Sequence, residues 1–180
     1  MTRRDLELYY PRAFTDLAEA AAAAEALPLE LLFGLIRTES AFSPGIRSRA
    51  GAAGLTQLMG ATAADMANRI RRRGGPDYAA AGVIDLEDPE TNIRLGAAYL
   101  RYLMDRTESP LMALLAYNGG IGRLRRWRNA EPALGGDLFL ETVEYNETRE
   151  YGRKVLSAAA AYGYLYYGMT MEAVFADMYK

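Results

Sequence analysis

The stretch Pro28-Leu29-Glu30-Leu31-Leu32-Phe33-Gly34-Leu35-Ile36-Arg37-Thr38-Glu39-Ser40 sets the character of the whole chain. Leu29, Leu32, Phe33 and Ile36 recur at helical spacing and so share one face of a helix, and Pro28 suits its first turn. Glu39 stands three residues beyond Ile36 and seven beyond Leu32, which puts a carboxylate on the continuation of that apolar face. Desolvation disfavours the charged form of a carboxyl group, so a glutamic acid placed there is suited to giving up a proton near neutral pH. An ordinary helix-terminal glutamate with its charge in water fits the same spacing, and this helix alone does not choose between the two.

Working outward, the pattern stays helical. Phe14 to Ala26 is alanine-rich and ends before Pro28. Ser43-Pro44-Gly45 breaks the quoted helix, and the small residues from Arg47 to Leu58, with Gly51 and Gly54 among them, read as a compact loop. Thr62 is placed to cap a helix that Arg73-Gly74-Gly75-Pro76-Asp77 ends. Asp88-Pro89-Glu90 and Ser109-Pro110 are two clear helix starts, the first running to about Arg106 and the second to Asn118-Gly119-Gly120. A short helix through Leu124 and Trp127 follows, then a long one from Glu147 to Tyr167, closed by Gly168, with Thr170 capping a last turn or two. With no internal repeat, linker or strand alternation, the 180 residues read as one all-α globular domain over positions 1–180.

Two absences narrow the chemistry. The chain has no histidine, which removes histidine triads, proton shuttles and histidine-held metals, and no cysteine, which removes thiol nucleophiles and disulfides. Acid/base work falls to carboxylates, tyrosines or the two lysines, Lys154 and Lys180, and neither metal nor cofactor is expected. The net charge of −2 argues against a nucleic-acid partner. The clusters Arg69-Ile70-Arg71-Arg72-Arg73 and Arg123-Leu124-Arg125-Arg126-Trp127-Arg128 read first as solvated faces or counterparts of nearby acids, and second as contacts for an anion. No run approaches the roughly 20 apolar residues of a membrane span. Met1-Thr2-Arg3-Arg4 does not open a secretory leader, so the expectation is either a cytoplasmic protein or a piece of a longer exported one.

The segment after Glu39 carries a more specific signal. Glu39-Ser40-Ala41-Phe42-Ser43-Pro44 is followed by Ser48-Arg49-Ala50-Gly51-Ala52-Ala53-Gly54-Leu55-Thr56-Gln57-Leu58-Met59. Further on stand Asp88-Pro89-Glu90-Thr91-Asn92-Ile93, Ala116-Tyr117-Asn118-Gly119-Gly120 with Gly122-Arg123, and Phe139-Leu140-Glu141 with Glu147-Thr148-Arg149-Glu150-Tyr151. In this order and spacing the runs resemble the catalytic domain of the soluble-type (SLT) lytic transglycosylases, over roughly Tyr10 to Tyr167. One such motif is weak; four in order are strong.

The resemblance implies a lysozyme-like helical fold of the goose-type/SLT kind, acting on the glycan strands of peptidoglycan in the periplasm or cell envelope. It implies cleavage of the β-1,4 bond between N-acetylmuramic acid and N-acetylglucosamine without water, leaving 1,6-anhydro ends. Glu39 takes the family's acid/base position. Ser48, Gln57, Met59, Ala116, Tyr117, Asn118, Glu147 and Tyr151 take its substrate-binding positions. Five of these residues also have a plain structural reading: Gln57 pinning its loop, Met59 as core filler, Asn118 as a helix C-cap, and Glu147 with Tyr151 as an i, i+4 surface pair. Gly51 and Gly54 would let the backbone come close to Glu39 and a bound sugar, or simply make a tight turn. The chain departs from the family pattern at Thr38, Gly60, Gly119, Ile121 and Glu144, none of them a proposed catalytic group. A goose-type lysozyme-like hydrolase that admits water, and a peptidoglycan-binding module without turnover, are the rival readings. By the same resemblance the chain is expected to be the C-terminal part of a longer envelope protein.

Overall fold

A computed structural model describes residues 2–80, 82–107 and 109–179; Lys180, one of the two lysines, lies outside them. Ten α-helices occur among the described residues: α1 (Arg3–Tyr9), α2 (Thr15–Glu25), α3 (Leu29–Ser40), α4 (Gly60–Arg72), α5 (Pro89–Met104), α6 (Pro110–Gly119), α7 (Ile121–Ala130), α8 (Gly136–Thr142), α9 (Asn146–Tyr166) and α10 (Met171–Met178). The chain divides into two compact units, unit I (Arg12–Arg101) and unit II (Met1–Pro11 with Tyr102–Lys180). No helix among the described residues is long and apolar enough to cross a membrane.

Unit I is built around α3. Leu31, Leu32, Phe33, Leu35 and Ile36 are all fully buried, so the helix is enclosed rather than apolar on a single face. Leu31 and Leu35 fill the sides that a one-face reading leaves to solvent, while Leu29 is only half-buried. Each such side chain contributes about 1.5–3 kcal/mol on burial, which makes α3 a fixed axis. Its neighbour α2 packs closely because its inward residues, Ala18, Ala21 and Ala22, are small. Pro28 stands just outside the first turn of α3, its carbonyl accepting the Leu32 N–H at 3.2 Å.

The other starts follow local chemistry. The Asp88 carboxylate accepts the Thr91 N–H at 2.8 Å ahead of α5. Helix α4 begins at Gly60, earlier than a cap at Thr62 would put it. Met59 takes extended backbone and its carbonyl already accepts the Ala63 N–H at 2.9 Å, so Thr62 falls inside the first turn.

Unit II is organised by α9. Its buried face, including Tyr151, Val155, Leu156, Ala159 and Tyr162, packs on α6 and α10. Ser109 caps α6 through the Met112 N–H, and Thr170 caps α10 through the Ala173 N–H. Two short helices have no counterpart in the periodicity reading. Helix α8 holds Phe139 and Leu140 in the core. Helix α1 opens on a reciprocal cap, in which the backbone N–H and hydroxyl of Thr2 hold the Asp5 carboxyl below its ordinary range. The segment behind it is tied to α9, where the Tyr162 and Tyr166 hydroxyls donate to the carbonyls of Pro11 at 2.7 Å and Tyr10 at 2.9 Å.

Candidate functional site

In unit I the end of α3 presents Glu39. Thr38 donates its hydroxyl to the Gly34 carbonyl at 2.8 Å, and Ser40, itself buried, donates to Ile36 and accepts the Phe42 N–H, both at 3.1 Å. Helical geometry ends there through Ala41 and Phe42, both left-handed, at φ 47° and 64°. The helix thus stops before Ser43-Pro44-Gly45. Phe42 accepts an unfavourable backbone because its ring is buried against Phe33, with centroids 6.3 Å apart. Glu39 is therefore a half-buried carboxylate on a rigid, capped helix end.

The loop after it is folded on itself by isolated bridges, Arg47 to Ala53 and Ala53 to Leu58. Ser48 is exposed and its hydroxyl accepts the Ala52 N–H at 3.0 Å, which tightens the turn around Gly51. Gln57 adopts φ 48°, uncommon for a residue with a side chain. Its amide NH2 donates to the Ile46 carbonyl at 3.1 Å and the Gly54 carbonyl at 2.9 Å. Both partners are acceptors, so the amide nitrogen must face them and the amide oxygen is left to accept from a ligand. Gln57 thus pins the loop and keeps half of its hydrogen-bonding capacity. Met59 is exposed at 44 %, so it is not core filler.

What holds this loop is Asn92, fully buried on α5. Its amide oxygen accepts from the Thr56 N–H at 2.8 Å and the Thr56 hydroxyl at 2.7 Å. Its NH2 donates to Ala53 at 3.0 Å and Leu86 at 2.9 Å. A Cβ on Gly54 would lie 2.1 Å from the Asn92 Nδ2 and from the Leu86 oxygen, and one on Gly96 would strike Thr56 at 2.3 Å. The close approach that Gly54 permits is therefore to Asn92, not to a ligand. Gly51, at φ 92° with open space around it, is a turn glycine.

In unit II, Ala116 is fully buried, and its carbonyl accepts the Gly120 N–H at 2.8 Å, so its side chain does not line a surface. Tyr117 is half-buried and Asn118 exposed, in the last turn of α6. The C-cap is Gly120, at φ 86°, so Asn118 does not serve as one. Instead its Oδ1 accepts the Thr148 hydroxyl at 2.7 Å, which brings the α6 end to the first turn of α9. There Glu147 is exposed and Tyr151 is buried at 7 % exposure, so the two are not a surface pair. Beside them Tyr145 is half-exposed, with the Trp127 ring 5.6 Å away and the Arg123 guanidinium 5.0 Å over its face. Thr148 and Tyr145 are the residues that motif reading passed over; the signal for Thr148 was its place inside the Glu-Thr-x-x-Tyr run.

Comparison with known proteins sets this geometry in a family. Residues 16–140 match the transglycosylase SLT domain. The chain is 34% identical over 161 residues to the soluble lytic murein transglycosylase of Escherichia coli K12, covering 88% of this chain and 24% of that protein. It is 36% identical, with a TM-score of 0.79, to an inactive glutamate-to-glutamine mutant of the lytic transglycosylase Slt from Pseudomonas aeruginosa, over 88% of this chain and 25% of the other. The 70 kDa soluble lytic transglycosylase of Escherichia coli gives 32% identity and a TM-score of 0.82, over 94% and 26%. The chain thus spans about a quarter of the length of the curated relatives it matches. At these identities the likeness carries the fold, which is all-α and lysozyme-like. On a match that covers most of its length, this chain belongs to the transglycosylase SLT domain family.

Proposed function

We propose that the chain is a peptidoglycan lytic transglycosylase domain in which Glu39 acts first as acid and then as base. The observation that carries this reading is the setting of Glu39: a half-buried carboxylate on an enclosed, capped helix end, in a chain with neither histidine nor cysteine. Protonated Glu39 gives its proton to the glycosidic oxygen between N-acetylmuramic acid and N-acetylglucosamine as that bond breaks. The substrate's own N-acetyl group stabilises the positive anomeric centre. The Glu39 carboxylate then takes the proton of the muramic acid 6-hydroxyl, whose oxygen bonds to the anomeric carbon. The product is a 1,6-anhydro end, Glu39 is protonated again, and no water is consumed. A tethered hydroxyl competes with water through its high effective molarity.

Gln57 would accept from a sugar hydroxyl or amide N–H through the oxygen its loop leaves over. Met59, Tyr117, Asn118 and Glu147 would supply contact surface and hydrogen bonds. Ser48, Ala116 and Tyr151 would enter through the backbone they shape, since Ser48 already closes its own turn and the other two are buried. Residues 1–180 would work as one catalytic domain of a longer protein of the periplasm or envelope, with glycan strands as partner and no metal or cofactor.

The test is digestion of purified sacculi followed by mass spectrometry. Anhydro ends are expected; ends heavier by one water would favour a goose-type hydrolase, and intact sacculi a binding module. Glu39→Gln should lower turnover by about 10³-fold or more while leaving glycan binding in place. Cleavage by that variant at the wild-type rate would remove Glu39 from the mechanism.

A further inference from the structure

We infer that Thr148 is a positioning residue for Asn118, turning its amide so that the NH2 group faces a ligand acceptor such as a sugar hydroxyl or an N-acetyl carbonyl. The inference rests on the proposed role of Asn118 in glycan binding and goes beyond it in assigning the direction of the hydrogen bond and the residue that sets it. An exposed asparagine is free to present either end of its amide to solvent, because water satisfies both. Here the choice is made from below. Thr148 is buried at 4 % exposure, too deep to meet a ligand itself, and its one O–H donor is directed to the Asn118 Oδ1 at 2.7 Å. With the oxygen held, the NH2 group is the end left to recognise a ligand.

The neighbouring glycine makes room for this contact. Gly119 is buried, and a Cβ there would lie 3.1 Å from the Trp127 Cη2 and 3.2 Å from both the Cγ2 and the Oγ1 of Thr148. In this chain a methyl at that place would press on the hydroxyl that orients Asn118.

The experiment measures kcat and KM on soluble glycan-strand fragments for the full chain, for Thr148→Val and for Thr148→Ser, with thermal melts alongside. Valine keeps the shape and removes the hydroxyl, and the released Asn118 oxygen returns to water, so the melt should stay near wild type. KM should rise by about five- to tenfold with kcat little changed, and serine should restore it. Asn118→Asp keeps the acceptor for Thr148 but has no NH2, and should weaken binding at least as much as Thr148→Val. Equal KM in wild type and Thr148→Val, or equal impairment in the valine and serine variants, would overturn the inference while leaving the function standing. Failure of the unsubstituted chain to bind or cleave the fragments would instead overturn the functional reading, and the inference with it.

Discussion

At the scale of single residues, two glycines that look alike in the sequence do different work. Gly51 and Gly54 sit three apart in one motif, and both take positive φ, at 92° and 78°. Around Gly51 there is open space, whereas a methyl on Gly54 would meet the Asn92 amide and the Leu86 carbonyl at 2.1 Å. A side chain at Gly51 therefore faces only a backbone conformation it rarely adopts, at a cost of about 1–2 kcal/mol. At Gly54 it faces the same conformation and must also displace a buried amide with four hydrogen bonds, so Gly54→Ala should cost about 3–4 kcal/mol or more. Thermal denaturation of the two variants checks this, and equal losses would show that Asn92 is not what Gly54 makes room for. The need for both glycines was legible in the sequence; the reason for Gly54 was not, because Asn92 belongs to a separate motif and a different element.

At the scale of elements, what could be read in advance was local. The starts of α5 and α6 announce themselves because a capping Asp88 or Ser109, the proline after it and the first turn are contiguous in sequence. Helices α1 and α8 are short; the segment just after α1 is held by tyrosine hydroxyls on α9, and α8 by burying Phe139 and Leu140, contacts no short window contains. Glu25 makes the same point energetically. It ends α2 as one acid in an alanine-rich helix, yet its carboxylate is buried and pairs with Arg94 at 2.8 Å and Arg73 at 3.1 Å, 69 and 48 residues away. Within unit I this one group joins α2 to α5 and to the C-cap of α4. Replacement by glutamine leaves the Arg94 guanidinium, only 20% exposed, without its counter-charge. Glu25→Gln should therefore lower unfolding free energy by about 2–4 kcal/mol, with the exposed Arg73 contributing the smaller share. Urea unfolding measures it, and a change below about 0.5 kcal/mol would mean that water already solvates the cluster.

At the scale of the whole molecule, the question is what brings a chain of net charge −2 to its substrate. The two arginine clusters invite an electrostatic answer, but much of their charge is engaged within the chain. Arg69 pairs with Asp65 at 3.0 Å and Arg73 with Glu25. Arg128 donates to the carbonyls of Glu131 and Leu134, and Arg123 lies over the Tyr145 ring and donates to Gly119. Arg71, Arg72, Arg125 and Arg126 are exposed, and four such cations are a modest footprint on a chain that is slightly acidic as a whole. On the proposed function, recognition would come from short-range polar contacts of the kind Gln57 and Asn118 would offer, which salt screens little. Binding of Glu39→Gln protein to sacculi should consequently change by less than about threefold between roughly 50 and 200 mM salt. A pelleting assay at several ionic strengths decides it. If affinity instead collapsed by an order of magnitude, the exposed arginines would be recruiting the anionic wall directly, and neutralising Arg71, Arg72, Arg125 and Arg126 together should then abolish the salt dependence.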